Sequence, residues 1–174
     1  ETGIRLELGR ELADSDVIIL GAGGAGRAAA AQALRSACRS LTIVNRNPER
    51  LANLIEAINP IAQERKIPLL GKAPNDPSLE IPQGSLLVNA TSLGLKPDDP
   101  LPIPANALPE SLALYDMIYN PPCTKLMQKI QSLDGQTANG LSMLVYQGVR
   151  ALEIWTDQTI NPATMDRAAR SAIA

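Results

Sequence analysis

The sequence predicts a doubly wound α/β fold, in which helices cover both faces of a parallel sheet. Short runs of β-branched and other apolar residues alternate with longer segments of helical periodicity, which is the pattern of repeated βαβ units. A chain of 174 residues suits one domain with a full hydrophobic core, so we expect a single domain over residues 1–174. The order of the strands in the sheet does not follow from this pattern.

Six apolar runs are the candidate strands. They are Val17–Leu20, Leu41–Val44, a weak one near Ile67–Leu70, Leu86–Asn89, Leu112–Asp116 and Gln136–Ala138. The spacing predicts an amphipathic lead-in helix within residues 1–12, a long helix over Gly24–Ala37 and another that follows Pro48. The prolines between Pro60 and Pro109 indicate loops.

The C-terminal third is predicted to be mostly helical. Thr124 is suited to cap a helix that ends near Leu133, and Asn161 with Pro162 is suited to begin the last helix. A stripe of apolar residues from Leu141 to Trp155 predicts another packed helix, and Gln147 falls off that stripe.

The composition excludes several classes of function. The chain is 45% hydrophobic and 20% charged with a net charge of −2, which leaves no basic excess for nucleic acid. No apolar run is long enough to span a bilayer and the N-terminus lacks the pattern of a signal peptide, so we expect a cytoplasmic protein. There is no histidine, and Cys38 and Cys123 lack metal-site spacing, so we expect no metal site.

A glycine-rich motif lies between the first candidate strand and the first long helix. Gly21, Gly23 and Gly26 have the spacing GxGxxG, which in this context is the fingerprint of a Rossmann-type dinucleotide-binding domain. Gly21 permits the tight turn, Gly23 lets a pyrophosphate approach the backbone, and Gly26 lets the helix pack on the strand. The helix N-terminus adds free N–H groups and a partial positive charge. The alternative is a glycine turn without a ligand.

The end of the second candidate strand indicates which dinucleotide is bound. A NAD-preferring domain usually has Asp or Glu there to bind the ribose hydroxyls, whereas this chain has Asn45. Arg46 and Arg50 follow and are suited to a ribose 2′-phosphate. The alternative is that both are solvated charges, but a cation at a helix N-terminus is unfavourable by itself, which favours a bound anion. We therefore expect NADP as the cofactor.

Three later segments complete a resemblance to one family. They are NATSLG at Asn89–Gly94, YDMIYNPPCTKL at Tyr115–Leu126 and NGLSMLVYQG at Asn139–Gly148. Together with GAGGAG and NRNPER they resemble the C-terminal NADP-binding domain of shikimate dehydrogenases over nearly the whole chain. Glutamyl-tRNA reductases also resemble the glycine and arginine segments, but the last three segments follow the shikimate dehydrogenase pattern.

The resemblance implies a set of site residues. The implied cofactor site comprises Gly21, Ala22, Gly23, Gly24 and Ala25 for the pyrophosphate, Asn45, Arg46, Asn47 and Arg50 for the 2′-phosphate, Thr91, and Met117 and Gly140 at the nicotinamide end. Asn47 stands where family members often have threonine, and its amide still donates to phosphate. Gly26 stands where they often have a small residue other than glycine, and glycine still packs closely.

The resemblance also implies two substrate contacts, Tyr119 and Gln147. We expect both at the carboxyl ends of the strands beside the nicotinamide end of the cofactor groove, with Met117 bordering the same groove. By residue type alone, Met117 equally suits the core, and Tyr119 and Gln147 equally suit a solvated surface. Asp116 is interpreted as structural.

The activity implied by the resemblance is the NADPH-dependent reduction of 3-dehydroshikimate to shikimate in aromatic amino-acid biosynthesis. The family's catalytic lysine and aspartate belong to an N-terminal domain that has no counterpart here, and no tyrosine is followed four residues later by the lysine of short-chain dehydrogenases. We therefore expect no catalytic residue in this chain and no turnover by it alone. Two alternatives are a stand-alone NADP-binding or regulatory module and the cofactor domain of a quinate-type dehydrogenase.

Overall fold

The computed structural model describes residues 1–173, with six strands in one parallel sheet. In chain order the elements are α1 (Thr2–Leu8), β1 (Asp16–Leu20), α2 (Gly24–Arg35), β2 (Ser40–Val44), α3 (Pro48–Glu64), β3 (Leu69–Lys72), β4 (Leu86–Asn89), a 3-10 turn (Ala105–Ala107), β5 (Ala113–Asp116), α4 (Lys125–Gln131), β6 (Gln136–Ala138), α5 (Leu141–Thr156) and α6 (Pro162–Ile173). The strand order is β3-β2-β1-β4-β5-β6, which is that of a Rossmann fold. The predicted fold class is confirmed.

Two apolar layers enclose the sheet because alternate residues of each strand point to opposite faces. Val17 and Ile19 of β1 pack with α1, α2 and α3 and with Met143 of α5. Ile18 and Leu20 of the same strand pack with α4 and with the long loops on the other face. Helices therefore lie on both faces. Within residues 1–173 no helix is both long enough and apolar enough to cross a membrane.

The predicted strand β3 is displaced by two residues. It lies at Leu69–Lys72 rather than Ile67–Leu70. Ile67 is buried at the end of α3, where its N–H donates to the carbonyl of Ala62 at 2.9 Å. Its apolar side chain is therefore buried because it packs at the end of α3, and it is not part of the strand.

Two predicted helices end earlier than expected. The helix predicted over Gly24–Ala37 ends at Arg35, and Ala37 takes a left-handed conformation with a φ of 56°. The lead-in helix ends at Leu8 because Gly9 caps it with a φ of 61°.

Two further predictions were wrong at single residues. Pro60 lies inside α3 rather than in a loop. Trp155, predicted on the packed stripe of α5, is 78% exposed.

The carboxyl ends of four strands lie along one edge of the sheet. β1 pairs with β2 on one side and with β4 on the other, so the strand order reverses between β1 and β4. Leu20, Val44, Asn89 and Asp116 are the last residues of β1, β2, β4 and β5. Ligands of open α/β sheets bind in the crevice at such a switch point.

Candidate dinucleotide-binding site

The turn after β1 requires glycine because backbone segments meet there. The N–H of Gly21 donates to the carbonyl of Val44 at 2.8 Å, and Gly21 has a φ of 107°. A Cβ atom at Gly21 would lie 2.9 Å from the carbonyl oxygen of Ala90, and one at Gly26 would overlap the carbonyl oxygen of Gly21. The turn itself therefore requires glycine at Gly21, and a side chain at Gly26 would force the neighbouring backbone to shift.

Gly23 and Gly24 lie in open space. A Cβ atom at either residue would meet no protein atom within 4 Å, and Gly23 has a φ of −80° that any residue can adopt. No side chain caps the N-terminus of α2, and Ala25 in its first turn is exposed. The backbone N–H groups here are thus accessible, as a bound pyrophosphate requires.

Asn45 joins the glycine turn to the loop after β2. Its Oδ1 accepts from the N–H of Ala22 at 3.3 Å, and its Nδ2 donates to the carbonyl of Asn47 at 2.9 Å. Asn47 caps α3, because its Oδ1 accepts from the N–H of Arg50 at 2.9 Å. Within residues 1–173 the Nδ2 group of Asn47 makes no hydrogen bond, so it is available to donate to a ligand.

Arg46 and Arg50 are exposed on the same loop. Neither guanidinium forms an ion pair with another described residue. Both line a groove of about 270 Å³ together with Gly21–Gly23, Asn45 and Thr91. The lining residues include no aspartate or glutamate, so the groove carries uncompensated positive charge.

Thr91 is held in the groove wall by Asn89, the last residue of β4. Asn89 is fully buried, and its Oδ1 accepts from the N–H of Thr91 at 3.1 Å and from its Oγ1 at 2.8 Å. The Oγ1 of Thr91 accepts in turn from the N–H of Leu93 at 3.1 Å. Side-chain hydrogen bonds therefore define the shape of this loop.

Asp116 ends β5 next to Asn89. Its Oδ1 accepts from the Nδ2 of Asn89 at 3.0 Å and from the N–H of Ile118 at 3.1 Å, and its Oδ2 accepts from the Oγ1 of Thr124 at 2.7 Å. Burial raises the pKa of this carboxyl, and the three hydrogen bonds only partly offset that rise. Both carboxylate oxygens of Asp116 are engaged by hydrogen bonds from three other residues, which agrees with its structural interpretation.

Met117 and Gly140 meet in a close backbone contact. A Cβ atom at Gly140 would overlap the carbonyl oxygen of Met117, and the N–H of Gly140 donates to the carbonyl of Ile118 at 3.1 Å. Gly140 immediately precedes α5. The contact fixes the start of α5 against the end of β5.

Met117 and Gln147 line a second cavity rather than the groove. This cavity of about 240 Å³ lies between the sheet and the helices α1, α2 and α5. Tyr119 is 38% exposed in the loop after β5 and lines neither the groove nor this cavity. The structure of this chain thus does not bring the three residues into one groove, and their shared role at the nicotinamide end stays a prediction.

Two prolines of the groove wall, Pro74 and Pro102, were missed by the sequence reasoning. The sequence pattern indicated only that they lie in loops. They lie far from the glycine turn in the sequence, so no local signal identifies them.

The sheet order, the glycine turn and the groove at the switch point define a protein of the Rossmann class. The family profile described as shikimate / quinate 5-dehydrogenase matches residues 5–71, and the profile described as shikimate 5'-dehydrogenase C-terminal domain matches residues 140–170. The chain belongs to the shikimate dehydrogenase family.

Individual relatives extend the similarity over nearly the whole chain. A shikimate dehydrogenase (NADP(+)) of Halorubrum lacusprofundi is 37% identical over 163 residues, which are 94% of this chain and 56% of the relative. A solved 5-ketofructose reductase of Gluconobacter sp. strain CHM43 is 32% identical with a TM-score of 0.80, and the match covers 98% of this chain and 62% of the reductase.

A solved shikimate 5-dehydrogenase of Thermus thermophilus, in complex with NADP(H) and shikimate, is 30% identical with a TM-score of 0.75. The match covers 98% of this chain and 59% of that enzyme. The chain therefore spans little more than half the length of the relatives that it matches.

Proposed function

We propose that this chain is the NADP(H)-binding domain of a shikimate dehydrogenase, the whole protein catalysing NADPH-dependent reduction of 3-dehydroshikimate to shikimate. The observation that carries the proposal is a groove at the switch point of the sheet. In it the open glycines converge with two arginines that have no acidic partner in the described part of the chain. The names of the relatives, which include NADP(+) and shikimate, support the same cofactor and substrate.

Different residues of the groove would bind different parts of the cofactor. The N–H groups at the start of α2 would bind the pyrophosphate, and Arg46 and Arg50 would pair with the 2′-phosphate. The free Nδ2 of Asn47 would donate to the same phosphate. Bound NADPH supplies the hydride of the reaction, and the chain's task is to hold its nicotinamide at the end of β5, near Met117 and Gly140.

Proton transfer is assigned to the part of the parent protein that this chain lacks. Reduction of a ketone requires a proton donor to the developing alkoxide, and none of the proposed site residues is a suitably placed acid. The proposal therefore divides the work: this domain contributes the cofactor together with Tyr119 and Gln147, and a second domain contributes the catalytic lysine and aspartate. The length of the relatives supports such a second domain.

The test is an assay of the purified chain with NADP and shikimate, accompanied by a direct measurement of NADPH binding. We expect binding without measurable turnover, because loss of acid–base catalysis costs about 10²–10⁴ in rate and loss of substrate positioning costs more. A separately expressed N-terminal domain of a family member, added in excess, should restore activity. Turnover by the chain alone would contradict the division of work, whereas failure to bind NADPH would contradict the whole proposal.

The substrate of the parent protein distinguishes the remaining alternatives. The family profile names both shikimate and quinate, and one similar structure is a 5-ketofructose reductase. Comparison of kcat/KM for shikimate, quinate and 5-ketofructose in the whole protein decides among them, and we expect shikimate to be preferred. A stand-alone regulatory module would show no gain in activity with any added domain, and it has no need of substrate-contact residues such as Tyr119 and Gln147.

A further inference from the structure

A buried polar pair links two loops at the carboxyl edge of the sheet. Asn89 and Asp116 are cross-strand partners of β4 and β5, and both side chains are 0% exposed. On the same face, two residues earlier in each strand, Leu87 and Leu114 belong to the apolar core. Burial of polar side chains is unfavourable unless every group is bonded, so this pair needs the specific partners that it has.

Asn89 directs its hydrogen bonds to the loop that carries Thr91. Its Oδ1 accepts both donors of Thr91, and its Nδ2 donates to the carbonyl of Leu93 at 3.3 Å as well as to Asp116. The residues of this loop belong to no helix or strand. This buried amide therefore supplies three of the hydrogen bonds that hold the first residues of the loop, next to β4.

Asp116 directs its hydrogen bonds to the next loop. It accepts from the N–H of Ile118 and from the hydroxyl of Thr124, which lie on either side of Tyr119 in the sequence. Met117 lies directly between Asp116 and Ile118, and its N–H donates to the carbonyl of Asn89 at 2.9 Å. The two residues of the pair thus hold both loops and hold each other.

We propose that Asn89 and Asp116 are positioning residues that fix the Thr91 loop relative to Met117, so that the nicotinamide half of the cofactor meets a preformed surface. The inference rests on the proposed NADP(H) function. In this proposal neither residue of the pair touches the cofactor. Asn89 acts through Thr91, and Asp116 acts through Asn89 and the backbone at Met117.

The test measures the binding of two ligands to four proteins, namely the unmodified chain and the variants Asp116→Ala, Asp116→Asn and Ser85→Ala. NADPH carries both halves of the dinucleotide, and adenosine 2′,5′-bisphosphate carries the 2′-phosphate that Arg46 and Arg50 would bind but lacks the nicotinamide half. Asp116→Ala removes three hydrogen bonds, and we expect it to weaken NADPH about tenfold, the net contribution of one or two of them, and to change the bisphosphate affinity less than about twofold. Asp116→Asn should restore NADPH binding, because its oxygen still accepts from Asn89 and Ile118 while its amide faces the hydroxyl of Thr124.

Ser85→Ala is the matched control. Ser85 is buried at the opposite end of β4, and its hydroxyl donates to the carbonyl of Pro82 at 2.6 Å, so its loss removes a buried hydrogen bond remote from the groove. Both ligands should bind this variant as they bind the unmodified chain. Where Asp116→Ala does not fold, Asn89→Ala gives the same comparison through the Thr91 loop.

The outcomes separate the two proposals. If the unmodified chain binds neither ligand, the proposed function fails. If it binds both, and the alanine variants retain NADPH affinity or lose both ligands equally, the positioning role is overturned. The positioning role is supported if the alanine variant loses affinity for NADPH but not for the bisphosphate, and if Asp116→Asn regains it.

Discussion

The two halves of the carboxyl edge, beside β1 and β2 and beside β4 and β5, differ in whether their polar groups are bonded within the protein. Beside β1 and β2, the helix N-terminus lacks a side-chain cap, and two guanidinium groups have no acidic partner among residues 1–173. Beside β4 and β5, Asn89 and Asp116 are fully buried and bonded within the protein. The first half is arranged to bind an anion, whereas the second is arranged to hold its own shape. A dinucleotide that spans both would gain charge interactions from one and a preformed wall from the other.

The largest expected effect contrasts two glycines of the turn. Gly21→Ala should destabilise the fold by roughly 3 kcal/mol or more, because its φ of 107° is strained for a residue with a Cβ atom, which would also lie 2.9 Å from the carbonyl oxygen of Ala90. Gly23→Ala should change stability by less than about 1 kcal/mol, since its Cβ atom meets no protein atom. It should nevertheless weaken NADPH about 10²-fold by blocking charged hydrogen bonds to the pyrophosphate. Chemical denaturation and calorimetric titration of both variants are the measurements.

An equal loss of stability in both glycine variants would contradict the distinction between fold-required and ligand-required glycines. Normal NADPH binding by a folded Gly23→Ala variant would show that the pyrophosphate does not bind at this turn.

An effect of similar size, confined to NADPH, is expected at the arginine pair. Arg46→Ala combined with Arg50→Ala should weaken NADPH by about 10²–10³ and leave NADH unchanged, since each charged contact contributes about 1.5–3 kcal/mol before solvent screening. The matched control is Arg35→Ala with Arg167→Ala, which removes the same charge from exposed positions outside the groove. Equal losses in the two double variants would show that net charge, and not the groove, governs affinity.

The smallest effect concerns the pH dependence of stability at Asp116. Burial raises the pKa of this carboxyl above its ordinary value of 3.8, so the folded chain retains the proton to higher pH than the unfolded chain does. Its contribution to stability is therefore fully present below the ordinary value and is lost as the pH rises through the raised pKa. The free energy of unfolding of the unmodified chain, relative to Asp116→Asn, should fall over that window. A rise would mean that hydrogen bonding, rather than burial, dominates the pKa.

The sequence predicted most of the fold because apolar runs bounded by turn residues carry a strong local signal. The predicted Leu86–Asn89 and Gln136–Ala138 coincide with β4 and β6. The edge strand β3 was displaced because Ile67 is buried for a different reason, namely the anchoring of the end of α3. Trp155 was misplaced because helical spacing alone does not distinguish a packed face from a solvent-exposed helix end.

The site was predictable to the extent that it is local in the sequence. The glycine turn and the arginines lie within one βαβ unit, so their convergence in the groove follows from the pattern. The parts contributed by Pro74 and Pro102, and the link from Asn89 to Asp116, depend on contacts between distant segments and were not predicted. Tyr119 and Gln147 line no common groove or cavity in this structure, and their roles stay predictions.

The central claim is that the groove binds NADP(H) through the 2′-phosphate, and calorimetric titration of the unmodified chain with NADPH and NADH tests it most directly. The account predicts that NADPH binds about 10²–10³ times more tightly, with the preference decreasing as the salt concentration rises. Equal affinities for the two cofactors, or a preference that does not respond to salt, would contradict it.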